Sequence, residues 1–200
     1  MEPVKSREDF LEADPRLSGF VLVDTTTGAM RDATIDDHYA YLQGLDLNPG
    51  VPEPVVNYIN VVKNLYLYGW LCYPFFTVCQ THAAMAVEMA LRLRMPQPTG
   101  QDRRTLKPLL QAAIAKGLIQ DSGFPSLPDK QAEARLFYEE LEKEMGIKTA
   151  VQPTPYVQVL LECLPRLRNE FAHPHDAWVV SPGMALEPVR LAVEIINQLW

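Results

Sequence analysis

"YVQVLLECLPRLRNEFAH", Tyr156 to His173, is the stretch on which the reading of the fold turns. At 3.6 residues per turn, Leu160, Leu161, Leu164, Leu167, Phe171 and Ala172 fall on one face, and Glu162, Arg166, Asn169, Glu170 and His173 fall on the other. Such a stripe needs a core or a partner to cover it. Arg168 sits within the stripe, about 20° from Val157 on the helical wheel. A guanidinium there is costly unless something satisfies it. Its neighbours at three and four positions are Leu164, Pro165, Phe171 and Ala172, none of them acidic. Arg166 differs, with Glu162 and Glu170 each four residues away, and reads as an ordinary surface pair. The partner of Arg168 must come from another helix, another subunit or a ligand.

The same helical spacing extends outward. Residues 55–73 are apolar and aromatic, and Pro74 either kinks that helix or starts a new one. A helix rich in Ala, Met and Leu covers 75–95 and stops at Pro96. Further helices are expected over 103–116, ending at Gly117, over 129–145, over 156–173 and over 186–199. The fold class is therefore all-α, a bundle of four to five long helices over 55–200. Upstream, "FVLVD" (20–24) reads as a short strand closed by "TTTG". "TIDDHYAYLQGL" (34–45) reads as a helix capped by Thr34, with Asp36 and Asp37 in its first turn. "DLNPGVPEP" (46–54) is the candidate boundary that sets off residues 1–50 as an acidic N-terminal appendage.

Charge follows that division. Residues 1–53 hold 11 acids and 4 bases, which is the whole net charge of −7; the remainder holds 14 of each. The acidity therefore does not argue against a phosphate-rich partner for the helical part. Arg92, Arg94, Arg103, Arg104 and Lys107 form a locally basic run, which reads either as a solvated surface or as a candidate nucleic-acid-binding one. Three cysteines without CxxC spacing exclude a disulfide framework and a zinc site, and no cofactor motif is present. His173, His175 and Asp176 straddle Pro174 after a helix, a poor arrangement for a metal. "LYLYGWLCYPFFTVC" (65–79) is too short to span a bilayer, and "MEPVKSREDF" has no apolar signal core. A reducing cytoplasm, with no membrane association, is the expectation.

The residues Arg168-Asn169-Glu170-Phe171-Ala172-His173 resemble the signature of the HEPN superfamily, an Arg and a polar residue followed by His at the end of a core helix. "THAAMAVEMALRLRM" (81–95) and "RTLKPLLQAAIAKGLI" (104–119) are similar to the helices that commonly precede it. The resemblance covers about 55–199 and implies a helical bundle that homodimerises, bringing two motifs into one cleft. It implies a metal-independent endoribonuclease in bacterial stress, defence or toxin–antitoxin systems. Its products would be a 2′,3′-cyclic phosphate and a 5′-OH. Carried over, His173 is the general acid/base, Arg168 stabilises charge on the phosphoryl oxygens, and Asn169 orients His173 or the phosphate. His175 occupies the position where some toxin members carry a modified Tyr. Glu88, among Ala and Met and four residues before Arg92, reads either as a surface pair with Arg92 or as the candidate buried partner of Arg168. The alternative is a non-catalytic HEPN module that binds RNA, a nucleotide or a protein partner.

Overall fold

Phe75–Arg94 forms the central helix, α3, and its composition explains its place. Ala83, Ala86 and Ala90 are fully buried beside Val87 and Leu91, so neighbouring helices approach α3 closely. In this computed structural model the described residues are 4–95, 105–129, 131, 132, 134, 136, 154–172 and 180–200, without the side chains of 171 and 172. Around α3 lie α2 (Glu53–Tyr68), α4 (Leu106–Ala115), α5 (Tyr156–Ala172) and α6 (Pro182–Leu199). Together they form an all-α fold with a small strand-bearing N-terminal part. Among the described residues no helix is long and apolar enough to cross a membrane.

Pro74 begins a new helix and does not kink an old one. Helix α2 stops at Tyr68, and Pro74 caps the start of α3. The turn between them is tight. A Cβ on Gly69 would lie 2.5 Å from the ring of Phe76, which is fully buried. At the other end Met95 is extended, the conformation favoured before Pro96.

Helix α4 ends as its sequence indicates, with Gly117 at φ +68°. Helix α6 starts earlier than its apolar pattern suggests. The Ser181 hydroxyl accepts the Met184 N–H at 3.2 Å and Pro182 opens the first turn. The N-terminus of α5 is capped from a distance: both Asp121 carboxylate oxygens accept N–H groups, from Tyr156 (2.9 Å) and Val157 (2.8 Å). The expected helix over 129–145 lies largely outside the described residues.

The N-terminal part contains a hairpin, β1 (Val21–Val23) against β2 (Met30–Asp32), antiparallel with Leu22 opposite Arg31. "DTTTG" is its turn. Asp24 Oδ1 accepts the N–H groups of Thr26 and Thr27, and Gly28 takes φ +71°. Thr34 does cap α1 (Ile35–Leu42), and Asp37 answers it by accepting the Thr34 N–H at 2.8 Å. Arg31 holds the same carboxylate at 2.6 and 2.7 Å. These residues rest on the helices. The Asp14 N–H donates to the Trp70 carbonyl, and the Asp14 carboxylate accepts the Tyr73 N–H. The Arg16 side chain, with the backbone N–H groups of Tyr73 and Arg16, holds the Asp14 carboxyl well below the usual range. His38 is buried against Tyr66, Trp70 and Phe76.

Candidate functional site

Arg168 finds its partner on another helix. Its Nη2 lies 3.4 Å from Oε2 of Glu88, while the other Glu88 oxygen takes Arg92 Nη2 at 2.5 Å. Glu88 and Arg92 are neighbours four apart on α3, and α5 lays Arg168 against that edge. The Glu88 side chain is 13% exposed, so one nearly buried carboxylate joins two guanidiniums that are each about one third exposed. This explains the arginine in the apolar stripe. Leu160 and Leu164 enter the core, and Arg168 marks the border where the stripe meets Glu88. Arg168 also donates to the Asn169 side-chain oxygen at 3.2 Å. That contact fixes which way the amide faces, leaving its NH2 group as a donor.

Arg166 is where the local reading fails. Its expected partner Glu162 is taken by Lys107 of α4, which holds both carboxylate oxygens at 3.0 Å. That hydrogen bond, aided by the charges of Lys107 and Arg166, holds the Glu162 carboxyl below its ordinary value. Among the described residues Arg166 makes no ion pair within 4.0 Å. Counting neighbours along one helix could not reveal this, because the competing cation is 55 residues away in sequence.

These groups share one groove of about 440 Å³ between α3, α4 and α5. Arg92, Lys107, Arg166 and Arg168 line it as cations, Glu88 and Glu162 as anions, and Asn169 as a neutral polar group. Four positive groups against two negative leave a formal charge of +2. Thr105 and Leu106, at the start of α4, complete the wall, and Thr105 supplies no side-chain cap to that terminus. The positive end of the α4 dipole thus adds to the groove. Such a surface suits an oxyanion: it offers a guanidinium that has no ion pair among the described residues, an ammonium that among them has only an exposed carboxylate, and an oriented amide.

Of the other expected site residues, Arg94 is employed elsewhere. Its Nε donates to the Leu199 carbonyl at 2.7 Å, a cation at the end of α6. Arg103, Arg104, His173 and His175 lie outside the described residues. Among the described residues no cluster of His, Cys, Asp and Glu suits a metal. The groove residues that sequence reasoning passed over are Glu162, Arg166 and Thr105.

No family model, curated protein or solved structure matches this chain.

Proposed function

We propose that the groove holds the phosphodiester backbone of RNA and that the chain is a HEPN-like, metal-independent endoribonuclease. The observation that carries this reading is Arg166, without an ion pair among the described residues, beside Arg168 and Asn169 in a groove of net positive charge. Arg166 and Lys107 hold the phosphate. Arg168 stabilises the charge that develops on its non-bridging oxygens as the ribose 2′-OH attacks. His173, which follows α5 directly, takes the 2′-OH proton and returns one to the departing 5′ oxygen. The 2′-oxygen–phosphorus bond forms as the phosphorus–5′-oxygen bond breaks, leaving a 2′,3′-cyclic phosphate and a 5′-OH. Arg168 and His173 lie about 140° apart on a straight helix, so an Arg–His pair across a homodimer fits better than one within a single chain.

One observation favours a second reading. Glu88 already occupies Arg168, as in a purely structural ion pair, and a non-catalytic module binding RNA, a nucleotide or a protein needs no free Arg168. The test is cleavage of single-stranded RNA in EDTA by wild type, Arg166→Ala, Arg168→Ala and His173→Ala. The nuclease reading expects activity lost in the last two, weaker binding in the first, and cyclic-phosphate ends. Cleavage that survives His173→Ala overturns the mechanism. RNA binding without cleavage by the wild type leaves the non-catalytic module.

A further inference from the structure

A second cavity, of about 200 Å³, lies between α3, α5 and α6. Helix α5 shows different residues to the two hollows: Leu164 and Leu167 line the cavity, while Arg166, Arg168 and Asn169 line the groove. Its inner wall is Ala83, Ala84, Val87, Leu164 and Ala192, all buried. Closely packed interiors keep few voids larger than a water, so an apolar space of this size stands out. Gln80 also lines it and is only 5% exposed. Pro188 on α6 accounts for that glutamine. Proline has no N–H to return to the Met184 carbonyl four residues back, and Gln80 Nε2 donates to that carbonyl instead, at 2.9 Å. The bond fixes the amide, because exchanging its ends would set oxygen against oxygen. Gln80 Oε1 is left buried without a hydrogen-bond partner. Among the described residues lining the cavity, no other has a buried side-chain polar atom in that condition. The charged lining is Glu187, Arg190 and Glu194, two carboxylates and one guanidinium, a formal −1 against the +2 of the groove. Arg190 pairs with Glu187 at 3.3 Å, and Glu194 accepts the Ser126 hydroxyl at 3.0 Å. Tyr156, which also lines the cavity, registers the two carboxylates: burial pushes its phenol up, and Glu194 and Glu187 push it further.

We propose that this cavity binds a small organic cation, a primary ammonium on a compact aromatic body. Size, polarity and position each select that class. An apolar void of roughly 150 Å³ takes up benzene, so about 200 Å³ admits a ring with a short tail. The lining offers acceptors, Gln80 Oε1 and two carboxylates, and its one cation is already paired, so the ligand is a donor. Glu187 follows Met184 by three residues on α6, and the Gln80 amide is bonded to Met184, so carboxylate and amide stand at one end of the cavity. The Glu187 side chain is 47% exposed. An ammonium at that end donates to both groups and keeps one face in water, which avoids the cost of full burial. Its aromatic body lies along the alanines. The cationic groove repels such a ligand, and the cavity repels the phosphates that the groove attracts. The site stands on its own residues and holds whether or not the groove cleaves RNA.

Isothermal titration calorimetry of the full chain with 2-phenylethylamine at neutral pH tests it. The expected Kd is about 1 mM or tighter, within reach of a ligand of this size. Propylbenzene, the same shape without the ammonium, should bind at least about 10-fold more weakly, and phenylacetate, the anion, more weakly still. Gln80→Met should weaken the amine about 10-fold and leave propylbenzene unchanged. Ala84→Leu fills the cavity and should weaken the amine at least about 10-fold, with helical circular dichroism retained. Should that variant fail to fold, Leu167→Trp obstructs the cavity from a position 42% exposed and gives the same comparison. An amine that does not bind at about 10 mM overturns the proposal. Propylbenzene binding as tightly as the amine also overturns it, and leaves an apolar void only. Amine binding undiminished in a folded Ala84→Leu or Leu167→Trp chain places the ligand elsewhere, for instance on the acidic residues 1–53, and overturns it as well.

Discussion

Replacing Glu88 with Gln removes the negative charge that joins two helices and changes almost no volume. In the wild type one Glu88 oxygen is 2.5 Å from Arg92 and the other 3.4 Å from Arg168. Exposed ion pairs contribute about 0.2–1 kcal/mol each, and a carboxylate only 13% exposed puts both at the upper end of that range. The amide also turns its NH2 group toward one of the two guanidiniums, which then repel each other without a shared anion. The expected loss is about 2 kcal/mol, or a fall in Tm of about 4–8 °C for a chain of this size. Ligand binding should move the other way. The groove goes from +2 to +3 and Arg168 is freed, so affinity for single-stranded RNA should rise at low salt. The slope of log affinity against log salt should steepen by about 0.7 for one further phosphate contact. Thermal melting and fluorescence anisotropy at several salt concentrations measure both effects. A Glu88→Gln protein with unchanged Tm and unchanged or weaker RNA binding would refute the view that Glu88 both braces α3 against α5 and restrains Arg168.

Two further perturbations test the packing where the N-terminal part meets α2 and the start of α3. His38 is 2% exposed and burial lowers its pKa from 6.5, although Asp37 opposes the shift, so the folded state keeps it neutral while the unfolded chain protonates. Its contribution is present above about pH 6.5 and is lost as pH falls from there through the lowered value, at up to about 1.4 kcal/mol per pH unit. Urea midpoints at pH 7.5 and 5.5 should show that loss in the wild type and much less of it in His38→Phe, which also removes the unpartnered Nδ1. In Gly69→Ala the new Cβ meets the buried Phe76 ring at 2.5–2.7 Å and should cost about 1–3 kcal/mol by melting. Phe76→Leu in the same chain should cost less than the separate losses predict, since it relieves that overlap.

The helices were legible because each buries residues at helical spacing, and α2, α3 and α4 end close to a Gly or a Pro. Helix α3 is read to within a residue, and Pro96 accounts for its end. Helix α6 was read four residues short, since its first turn is set by Ser181 and Pro182 and not by apolar periodicity. Strand β2 left no pattern to read. Met30, Arg31 and Asp32 are all exposed and paired only through the backbone, so nothing selects alternating side chains. For the site, the sequence showed that Arg168 lacks a local partner and offered Glu88 both to Arg92, four residues on, and to Arg168; the structure gives it to both. It did not show that Lys107 would take Glu162 from Arg166. A pair i and i+4 on one helix is always within reach, but a cation from a neighbouring helix can hold both carboxylate oxygens at once. Periodicity records the face of a helix and not the competition for the groups on it.

That competition sets the order in which the groove accepts an anion. Arg166 gives up no ion pair to bind one, and Lys107 exchanges a carboxylate that is half exposed and readily hydrated. Arg168 must leave Glu88, which is far less hydrated and would keep only Arg92. An arriving phosphate therefore meets Arg166 and Lys107 at little cost and draws Arg168 across only if it offers more charge than Glu88 does. A transition state with charge building on two non-bridging oxygens meets that condition better than a resting diester. On the proposed nuclease reading, the Glu88–Arg168 pair suppresses tight ground-state binding and leaves the interaction to form where it would speed cleavage.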